Sequence, residues 1–200
     1  MAAPHDEAAS RPVVEHAQIH HGKVFDVVAD RVDLGGPAPV VREYTAHPGA
    51  VAVVALDDED RVLLLSQYRH PVRRVLWEPP AGLLDVPGEP EVEAARRELA
   101  EEADLVAGRW WRLTSFFTSA GASDERITVF LARDLTPVVD ASRFQREDEE
   151  ADMVPVWVPL DEAVAGVLDG SLESPTAVVG VLAAAAARAR GWSTLEAVAG

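Results

Sequence analysis

The chain has 200 residues, of which 48% are hydrophobic and 26% charged, and this is enough to bury the core of one ordinary globular domain. Its 34 acidic and 18 basic residues give a formal net charge of −16, which repels nucleic acids and anionic membrane surfaces and excludes both as bulk partners. The absence of cysteine excludes disulfides, thiolate metal sites and thiol nucleophiles.

The first residues predict a tail rather than a targeting segment. Residues 1–12 are polar and rich in alanine and proline, which is typical of a disordered tail. They lack the basic and apolar regions of a signal peptide, and the longest apolar run of the chain is too short to span a bilayer. We therefore expect a cytoplasmic protein.

Residues 13–48 are predicted to form a small antiparallel β-sheet region at the N-terminal end. The segments KVFDVVADRVDL and VVREYTA have the composition of strands, and the turn-forming GGPAP separates them. A sheet of this size is too small to be stable alone, so packing on a second protomer would stabilise it. Residues 49–200 are expected to form the main domain.

The main domain is predicted to combine a mixed sheet with helices on its faces. AVAVVAL and RVLLLSQYR are continuously apolar, which is typical of strands covered on both faces, and RITVFLA and MVPVWVP predict further strands. WEPPAGLLDVPGEP has the composition of a long loop. LDEAVAGVLDG and SPTAVVGVLAAAAARARG predict two C-terminal helices, the second ending at Gly191. This order of elements indicates an α/β fold.

An acidic helix is predicted over about residues 90–103, within GEPEVEAARRELAEEADL. Its acidic side is expected to lie largely opposite a buried stripe. The stripe is predicted to comprise Val92, Ala95, Leu99 and Ala103.

Three glutamates of this helix are predicted to face the same way. Glu98, Glu101 and Glu102 lie near the C-terminal end, where mutual repulsion and the helix dipole both disfavour them. A divalent cation would turn this repulsion into attraction. The alternative is a solvated, wholly structural charged face.

The residues around this helix resemble the signature of the Nudix hydrolases. That pattern is Gly, five residues, Glu, seven residues, then Arg-Glu-aliphatic-any-Glu-Glu-any-Gly-aliphatic. The chain has Gly82, Glu89 and then RELAEEADL from Arg97. Six residues separate Gly82 from Glu89, and Asp104 replaces the final glycine, where the helix end requires a left-handed residue. The resemblance implies a Nudix α/β/α sandwich with a mixed sheet.

The resemblance also implies a metal site. Two or more Mg²⁺ or Mn²⁺ ions would be held by Glu98, Glu101, Glu102 and the backbone carbonyl of Ala81. Arg97 would hold the glutamates in place, and both Arg97 and Glu102 would be catalytic residues. Such ions would bridge phosphate oxygens and lower the pKa of an attacking water. The implied reaction is hydrolysis of a nucleoside diphosphate linked to another group.

A second acidic segment, REDEEADM, is expected to supply the residue that orients or deprotonates the water. In the resembling enzymes a loop glutamate has this role. Glu149 and Glu150 are the candidates, and the sequence does not choose between them.

Two segments resemble those of ADP-ribose pyrophosphatases. In SQYRHPVRRVLWEPPAG, Arg69 would face the diphosphate or the terminal ribose, Glu78 would lie near the metals, and Arg73 is either a substrate contact or a surface charge. In FTSAGASDERITVF, Ser123 and Glu125 match the family and would contact the substrate. Two further positions of that segment depart from the family, namely Ala120 for a proline and Ala122 for an aromatic.

The predicted activity is therefore hydrolysis of ADP-ribose, a nucleotide sugar, to AMP and ribose 5-phosphate. The resemblance implies a homodimer with swapped N-terminal strands, in which Phe25 or Tyr44 would contribute to adenine stacking. The alternatives are a Nudix hydrolase of another nucleotide sugar or dinucleotide, such as ADP-glucose, GDP-mannose or NADH, and a non-catalytic nucleotide-binding module on the same fold.

Overall fold

The computed structural model describes residues 3–139 and 153–198. These residues form two compact units, which are described separately below. The first unit comprises residues 3–48 together with the loop Ser119–Glu125, and the second comprises residues 49–118, 126–139 and 153–198.

The first unit is built on a three-stranded antiparallel sheet. Its strands are β1 (Val13–His21), β2 (Asp26–Val32) and β3 (Val40–Ala46), in that spatial order. Every residue of the edge strand β1 is exposed, whereas Val28 in the central strand is buried. The prediction of a small antiparallel N-terminal sheet is confirmed.

The second unit contains two sheets and three helices. Its elements are β4 (Ala50–Ala55), β5 (Arg61–Arg69), β6 (Arg74–Glu78), β7 (Ala81–Leu83), α1 (Glu91–Ala103), β8 (Leu105–Phe117), β9 (Arg126–Pro137), β10 (Val154–Pro159), α2 (Leu160–Asp169), α3 (Pro175–Arg188) and β11 (Glu196–Ala197). One sheet has the order β11-β8-β9-β4-β7, in which β4 and β9 are parallel and the other pairs antiparallel. The other is antiparallel, in the order β10-β5-β6.

The strand β4 lies in the middle of the core, with all six residues buried. Alternate residues face opposite sides. Val54 belongs to the core cluster that includes Val181 of α3, and Val53 belongs to the cluster that includes Leu99 of α1. A Cβ on Gly180 would lie 2.8 Å from Val54, so α3 approaches β4 at a position without a side chain. The predicted mixed sheet flanked by helices is confirmed.

Several features differ from the sequence-based expectations. The strand β1 lies outside the two segments predicted as N-terminal strands. The predicted loop from residue 77 to 90 contains the end of β6 and the whole of β7. The long strand β8 has only one buried residue, Trp110, so it lacks the apolar run that would predict it. The helix α3 ends at Arg188, before Gly191. In the part of the chain that the structure describes, no helix is long and apolar enough to span a membrane.

Candidate active site

The acidic helix α1 buries two of its glutamates. Its buried residues are Ala94, Ala95, Glu98, Leu99 and Glu102. Glu98 and Glu102 are only 9% and 7% exposed, so the expectation that the acidic side lies opposite the buried stripe is wrong for these two. Val92 and Ala103, predicted in the stripe, are only partly buried. Burial of a carboxylate is unfavourable unless it is paired, so the partners of these glutamates define the site.

Glu98 lies against the backbone of β7. A Cβ built on Gly82 would be 2.0 Å from Oε1 of Glu98 and 2.1 Å from its carboxyl carbon. No side chain larger than hydrogen fits there while the carboxylate keeps its place. The motif therefore requires glycine at this position for a steric reason, because the β7 backbone closely approaches the side chain of Glu98.

Glu102 is held by the residue that precedes Gly82. The backbone N–H of Ala81 donates to Oε2 of Glu102 at 2.9 Å. The same short segment is fixed to the core strand β4, because the N–H of Val53 donates to the carbonyl of Pro80 at 2.8 Å. The core therefore positions both the loop and the glutamate.

Arg97 connects the remaining carboxylates. Its Nη1 donates to Glu98 at 2.6 Å and to Glu101 at 3.3 Å, and its Nε and Nη2 donate to the two oxygens of Glu89 at 3.3 and 3.2 Å. These contacts, above all the hydrogen bonds to Glu89, raise the pKa of Arg97 well above its usual value. Arg97 is therefore a permanent cation that three carboxylates share.

The helix ends as the motif requires, although glycine is absent there. Asp104 adopts the left-handed conformation, with φ 54° and ψ 36°, and its N–H donates to the carbonyls of Leu99 and Ala100. Aspartate is one of the few residues that visit this region with modest strain. The departure from the family pattern at this position therefore leaves the helix end intact.

The donor set suits a hard divalent cation. Mg²⁺ and Mn²⁺ prefer oxygen ligands, and Glu98 and Glu101 converge on the same nitrogen of Arg97, within a few ångströms of each other. Among the described residues, however, no three Asp, Glu, His or Cys side chains are arranged to hold a metal together. Ligation by Glu98, Glu101, Glu102 and the carbonyl of Ala81 therefore remains a prediction that the chemistry of these groups supports.

Two predicted substrate residues bind each other. Nε and Nη2 of Arg69 donate to the carboxylate of Glu78, with the shortest distance 2.6 Å. Glu78 is 7% exposed and Arg69 is half-buried. Arg73 lies exposed in the turn between β5 and β6, with a positive φ of 54°.

The other two predicted substrate residues lie in the first unit. The hydroxyl of Ser123 donates to the carbonyl of Thr45 and accepts from the N–H of Glu125. The carboxylate of Glu125 lies 3.7 Å from Nε2 of His47. A further contact has no signal in the sequence: Asp124 accepts from the backbone N–H of His47 at 2.8 Å. It joins residues far apart in the chain, so it depends on tertiary structure.

The remaining candidates are two glutamates and two aromatic residues. Glu149 and Glu150 lie outside the described residues. Phe25 is exposed in the first unit, whereas the hydroxyl of Tyr44 donates to Asp30 at 3.1 Å. The roles of all four stay predictions.

Comparison with known proteins identifies similar chains. A family model described as the NUDIX domain matches residues 46–176. The ADP-ribose pyrophosphatase of Mycobacterium tuberculosis is 45% identical over 165 residues, which cover 82% of this chain and 78% of that protein. The ADP-ribose pyrophosphatase of Bacillus subtilis is 41% identical over 139 residues, covering 70% of this chain and 74% of that protein.

A solved structure also has the same fold. The crystal structure of an ADP compounds hydrolase superimposes with a TM-score of 0.74 and covers 94% of this chain and 99% of its own. The two sequences are only 21% identical, so this likeness concerns the fold alone.

Proposed function

Because this chain belongs to the NUDIX domain family, we propose that it hydrolyses the diphosphate bond of ADP-ribose to give AMP and ribose 5-phosphate. The family match and the two related pyrophosphatases confirm the prediction of a Nudix hydrolase. The observation that carries the proposal is the glutamate cluster of the family's motif, in which Arg97 binds Glu98 and Glu101 and the N–H of Ala81 binds Glu102.

Divalent cations are the cofactors of this proposal. The site would hold two or more Mg²⁺ or Mn²⁺ ions, with ligands from Glu98, Glu101, Glu102 and the carbonyl of Ala81. When bound, such ions neutralise the charge of the diphosphate and lower the pKa of an attacking water. They would also offset the repulsion that a protein of net charge −16 exerts on an anionic substrate.

The chain's own residues would prepare the site. Arg97 holds Glu98 and Glu101 close together before any cation arrives, because its guanidinium screens their mutual repulsion. Gly82 leaves room for the carboxylate of Glu98, and the N–H of Ala81 fixes that of Glu102. Such preorganisation reduces the rearrangement needed when the substrate binds.

Several finer assignments are part of the proposal. Glu149 or Glu150 would orient or deprotonate the water. Arg69 would face the diphosphate or the terminal ribose, and Arg73 and Glu125 would be further substrate contacts. A cytoplasmic location remains a prediction.

Ser123 is the weakest of the predicted substrate contacts. Its hydroxyl already donates one hydrogen bond to the backbone and accepts another from it. A substrate could therefore only donate a hydrogen bond to the remaining lone pair of the hydroxyl oxygen.

A homodimer is also proposed, in which β1 packs on the partner. Support comes from the exposure of all nine residues of β1, which include Val13, Val14 and Ile19. An exposed edge strand with apolar side chains is usually covered in a stable protein. Light scattering coupled to size-exclusion chromatography should give twice the 21.5 kDa mass of the chain, and the mass of one chain would contradict the proposal.

A second candidate is hydrolysis of a different nucleotide sugar or dinucleotide. The observation that favours it is the loop Ser119–Glu125, where Ala120 and Ala122 replace the proline and the aromatic of ADP-ribose pyrophosphatases. Smaller side chains there would accommodate a different group.

The test is a comparison of substrates. The values of kcat/KM with Mg²⁺ would be measured for ADP-ribose, ADP-glucose, GDP-mannose and NADH, with products resolved by chromatography. ADP-ribose is expected to give the highest value, with AMP and ribose 5-phosphate as products. A higher value for another substrate would favour the second candidate, and no turnover of any would favour a binding module.

A further inference from the structure

The loop Ser119–Glu125 is held in the first unit by polar contacts. Five of its seven residues are exposed, and the other two, Ser123 and Glu125, are partly buried. Its sequence, SAGASDE, has no large apolar side chain that could fix the loop by burial. The family pattern has a proline and an aromatic residue in this segment, where this chain has Ala120 and Ala122. Hydrogen bonds therefore determine the position of the loop more than packing does.

The backbone of the loop pairs with β3, an edge strand of the first unit's sheet. The N–H of Thr45 donates to the carbonyl of Ala122 at 2.9 Å, and the N–H of Asp124 donates to the carbonyl of Thr45 at 3.2 Å. Thr45 and Ser123 form an isolated parallel β-bridge. Because even a complete two-stranded pairing is marginally stable in water, a single bridge holds the loop only weakly.

Asp124 adds a side-chain contact beyond this bridge. Its carboxylate accepts from the backbone N–H of His47 at 2.8 Å. A hydrogen bond to a charged acceptor is stronger than one between two neutral groups. Asp124 therefore ties the loop to the chain at two points, through its N–H to Thr45 and through its carboxylate to His47.

Asp124 lies between the two predicted substrate residues of the loop. The N–H of Glu125 donates to the hydroxyl of Ser123 at 3.1 Å, and that hydroxyl donates to the carbonyl of Thr45. The carboxylate of Glu125 lies 3.7 Å from Nε2 of His47, the residue whose N–H binds Asp124. Since the Cα atoms of neighbouring residues are only about 3.8 Å apart, a displacement of Asp124 also displaces Glu125.

We propose that Asp124 is a positioning residue, which fixes the loop Ser119–Glu125 on His47 so that Glu125 meets the substrate in one orientation. The inference rests on the proposed function for the identity of the substrate and for its contact with Glu125. Asp124 acts through Glu125 and needs no substrate contact of its own.

The first test measures the kinetic constants of Asp124→Ala for ADP-ribose. This substitution removes the acceptor for the N–H of His47. We expect KM to rise about tenfold and kcat to change less than about threefold, because the loop would bind the substrate rather than take part in bond cleavage. Removal of a negative charge would by itself favour an anionic substrate, so a general electrostatic effect would lower KM instead. An unchanged or lower KM would overturn the proposal.

Two further variants test how Asp124 acts. Asp124→Asn keeps an acceptor oxygen for the N–H of His47, so its KM should lie within about threefold of the wild-type value. A KM as high as that of Asp124→Ala would contradict the role of this hydrogen bond. The double variant Asp124→Ala/Glu125→Ala should have the KM of Glu125→Ala alone, because Asp124 acts only through Glu125. Effects that multiply in the double variant would contradict this.

Asp33→Ala is the matched control for the loss of charge and of one hydrogen bond. Asp33 also lies in the first unit, and its carboxylate accepts from the backbone N–H of Gly35 at 2.8 Å. That contact joins residues only two apart in the chain, so it does not hold the loop Ser119–Glu125. Asp33→Ala should leave KM unchanged, and a rise like that of Asp124→Ala would rule out a specific role for Asp124.

Hydrogen exchange of the intact protein tests the position of the loop without any substrate. In Asp124→Ala the N–H groups of Thr45 and His47 should exchange at least about tenfold faster than in the wild type, whereas those of the buried strand β4 should be unchanged. Equal exchange at His47 in the two proteins would overturn the proposal. Faster exchange throughout β4 would indicate a general loss of stability and would also overturn it.

This readout distinguishes the inference from the proposed function. If the wild type does not hydrolyse ADP-ribose, the proposed function fails. The exchange of the N–H of His47 still shows whether Asp124 fixes the loop.

Discussion

Arg97 shows how single residues make an acidic cluster compatible with folding. Four carboxylates of one helix and its preceding loop lie within a small region, and repulsion between them would oppose the folded state. Arg97 contacts Glu89, Glu98 and Glu101, and a backbone N–H binds the fourth, Glu102. The guanidinium of Arg97 and one backbone N–H therefore hold the four carboxylates together before a metal ion binds.

The contact between Gly82 and Glu98 gives a prediction at the same scale. In Gly82→Ala the new methyl group would lie about 2 Å from the carboxylate and displace it. We expect ADP-ribose turnover to fall by at least about tenfold, since misplacement by 1 Å can lower a rate that much or more. Steady-state kinetics would measure it.

Gly36→Ala is the matched control for this substitution. A Cβ on Gly36 would meet nothing within 4 Å, so the kinetics should be those of the wild type. Turnover equal to that of the wild type in Gly82→Ala would show that hydrolysis does not depend on the position of the Glu98 carboxylate against β7.

At the scale of elements, the end of α1 depends on one left-handed residue. Asp104 has φ 54°, a conformation that β-branched residues adopt only with strain. We expect Asp104→Val to lower the free energy of unfolding by about 1–2 kcal/mol, and Asp104→Gly to keep the stability of the wild type or exceed it. Urea denaturation of the three proteins would measure this. Equal stability of Asp104→Val and Asp104→Gly would contradict the role of backbone conformation.

The N-terminal sheet gives a prediction about pH. Asp30 on β2 lies 2.6 Å from Nδ1 of His16 on β1 and accepts from the hydroxyl of Tyr44 on β3. The hydrogen bond with His16, above all, lowers the pKa of Asp30 in spite of its burial. A carboxylate with a lowered pKa stabilises the folded state above its unfolded pKa, near 3.8, and this contribution is lost as pH falls through the folded value.

Wild type should therefore be more stable than Asp30→Asn at neutral pH, and the difference should shrink as pH falls below about 4. Thermal melts between pH 7 and pH 3 would measure the two curves. Glu43→Gln, an exposed carboxylate on β3, is the control, and its curve should follow that of the wild type. A constant difference between wild type and Asp30→Asn across this range would contradict the linkage.

The sequence predicts some elements well because their pattern follows directly from burial. The continuous apolar run of β4 is buried on both faces, and the periodic pattern of α1 gives a helix that begins and ends almost where predicted. The sequence does not predict β8, because a strand with one buried residue has no continuous apolar pattern. The motif likewise predicts which glutamates cluster, but not the burial of Glu98 and Glu102, which depends on the approach of β7.

Contacts between distant residues are the part that a sequence cannot supply. The pairing of Arg69 with Glu78 depends on strand register and side-chain direction, and the bond between Asp124 and the N–H of His47 joins residues 77 apart. Neither pair has a characteristic spacing. Both follow only from the folded arrangement of strands and loops.

At the scale of the whole molecule, the negative net charge of the chain opposes the binding of an anionic substrate at the glutamate site. A net charge of −16 repels a diphosphate, yet the family's reaction requires one to bind beside several carboxylates. In the proposed function, Arg97 and divalent ions held by the glutamates would offset this repulsion. The proposed function therefore requires these glutamates, and Glu102 in particular, for hydrolysis of ADP-ribose.

The most direct measurement of this claim is the turnover of ADP-ribose with Mg²⁺ by the wild type, Glu102→Gln and the control Glu93→Gln, an exposed glutamate in the first turn of the same helix. We expect AMP and ribose 5-phosphate from the wild type and the control, and at least about 10²-fold slower turnover by Glu102→Gln. Equal turnover by the wild type and Glu102→Gln, or none by the wild type, would contradict this claim.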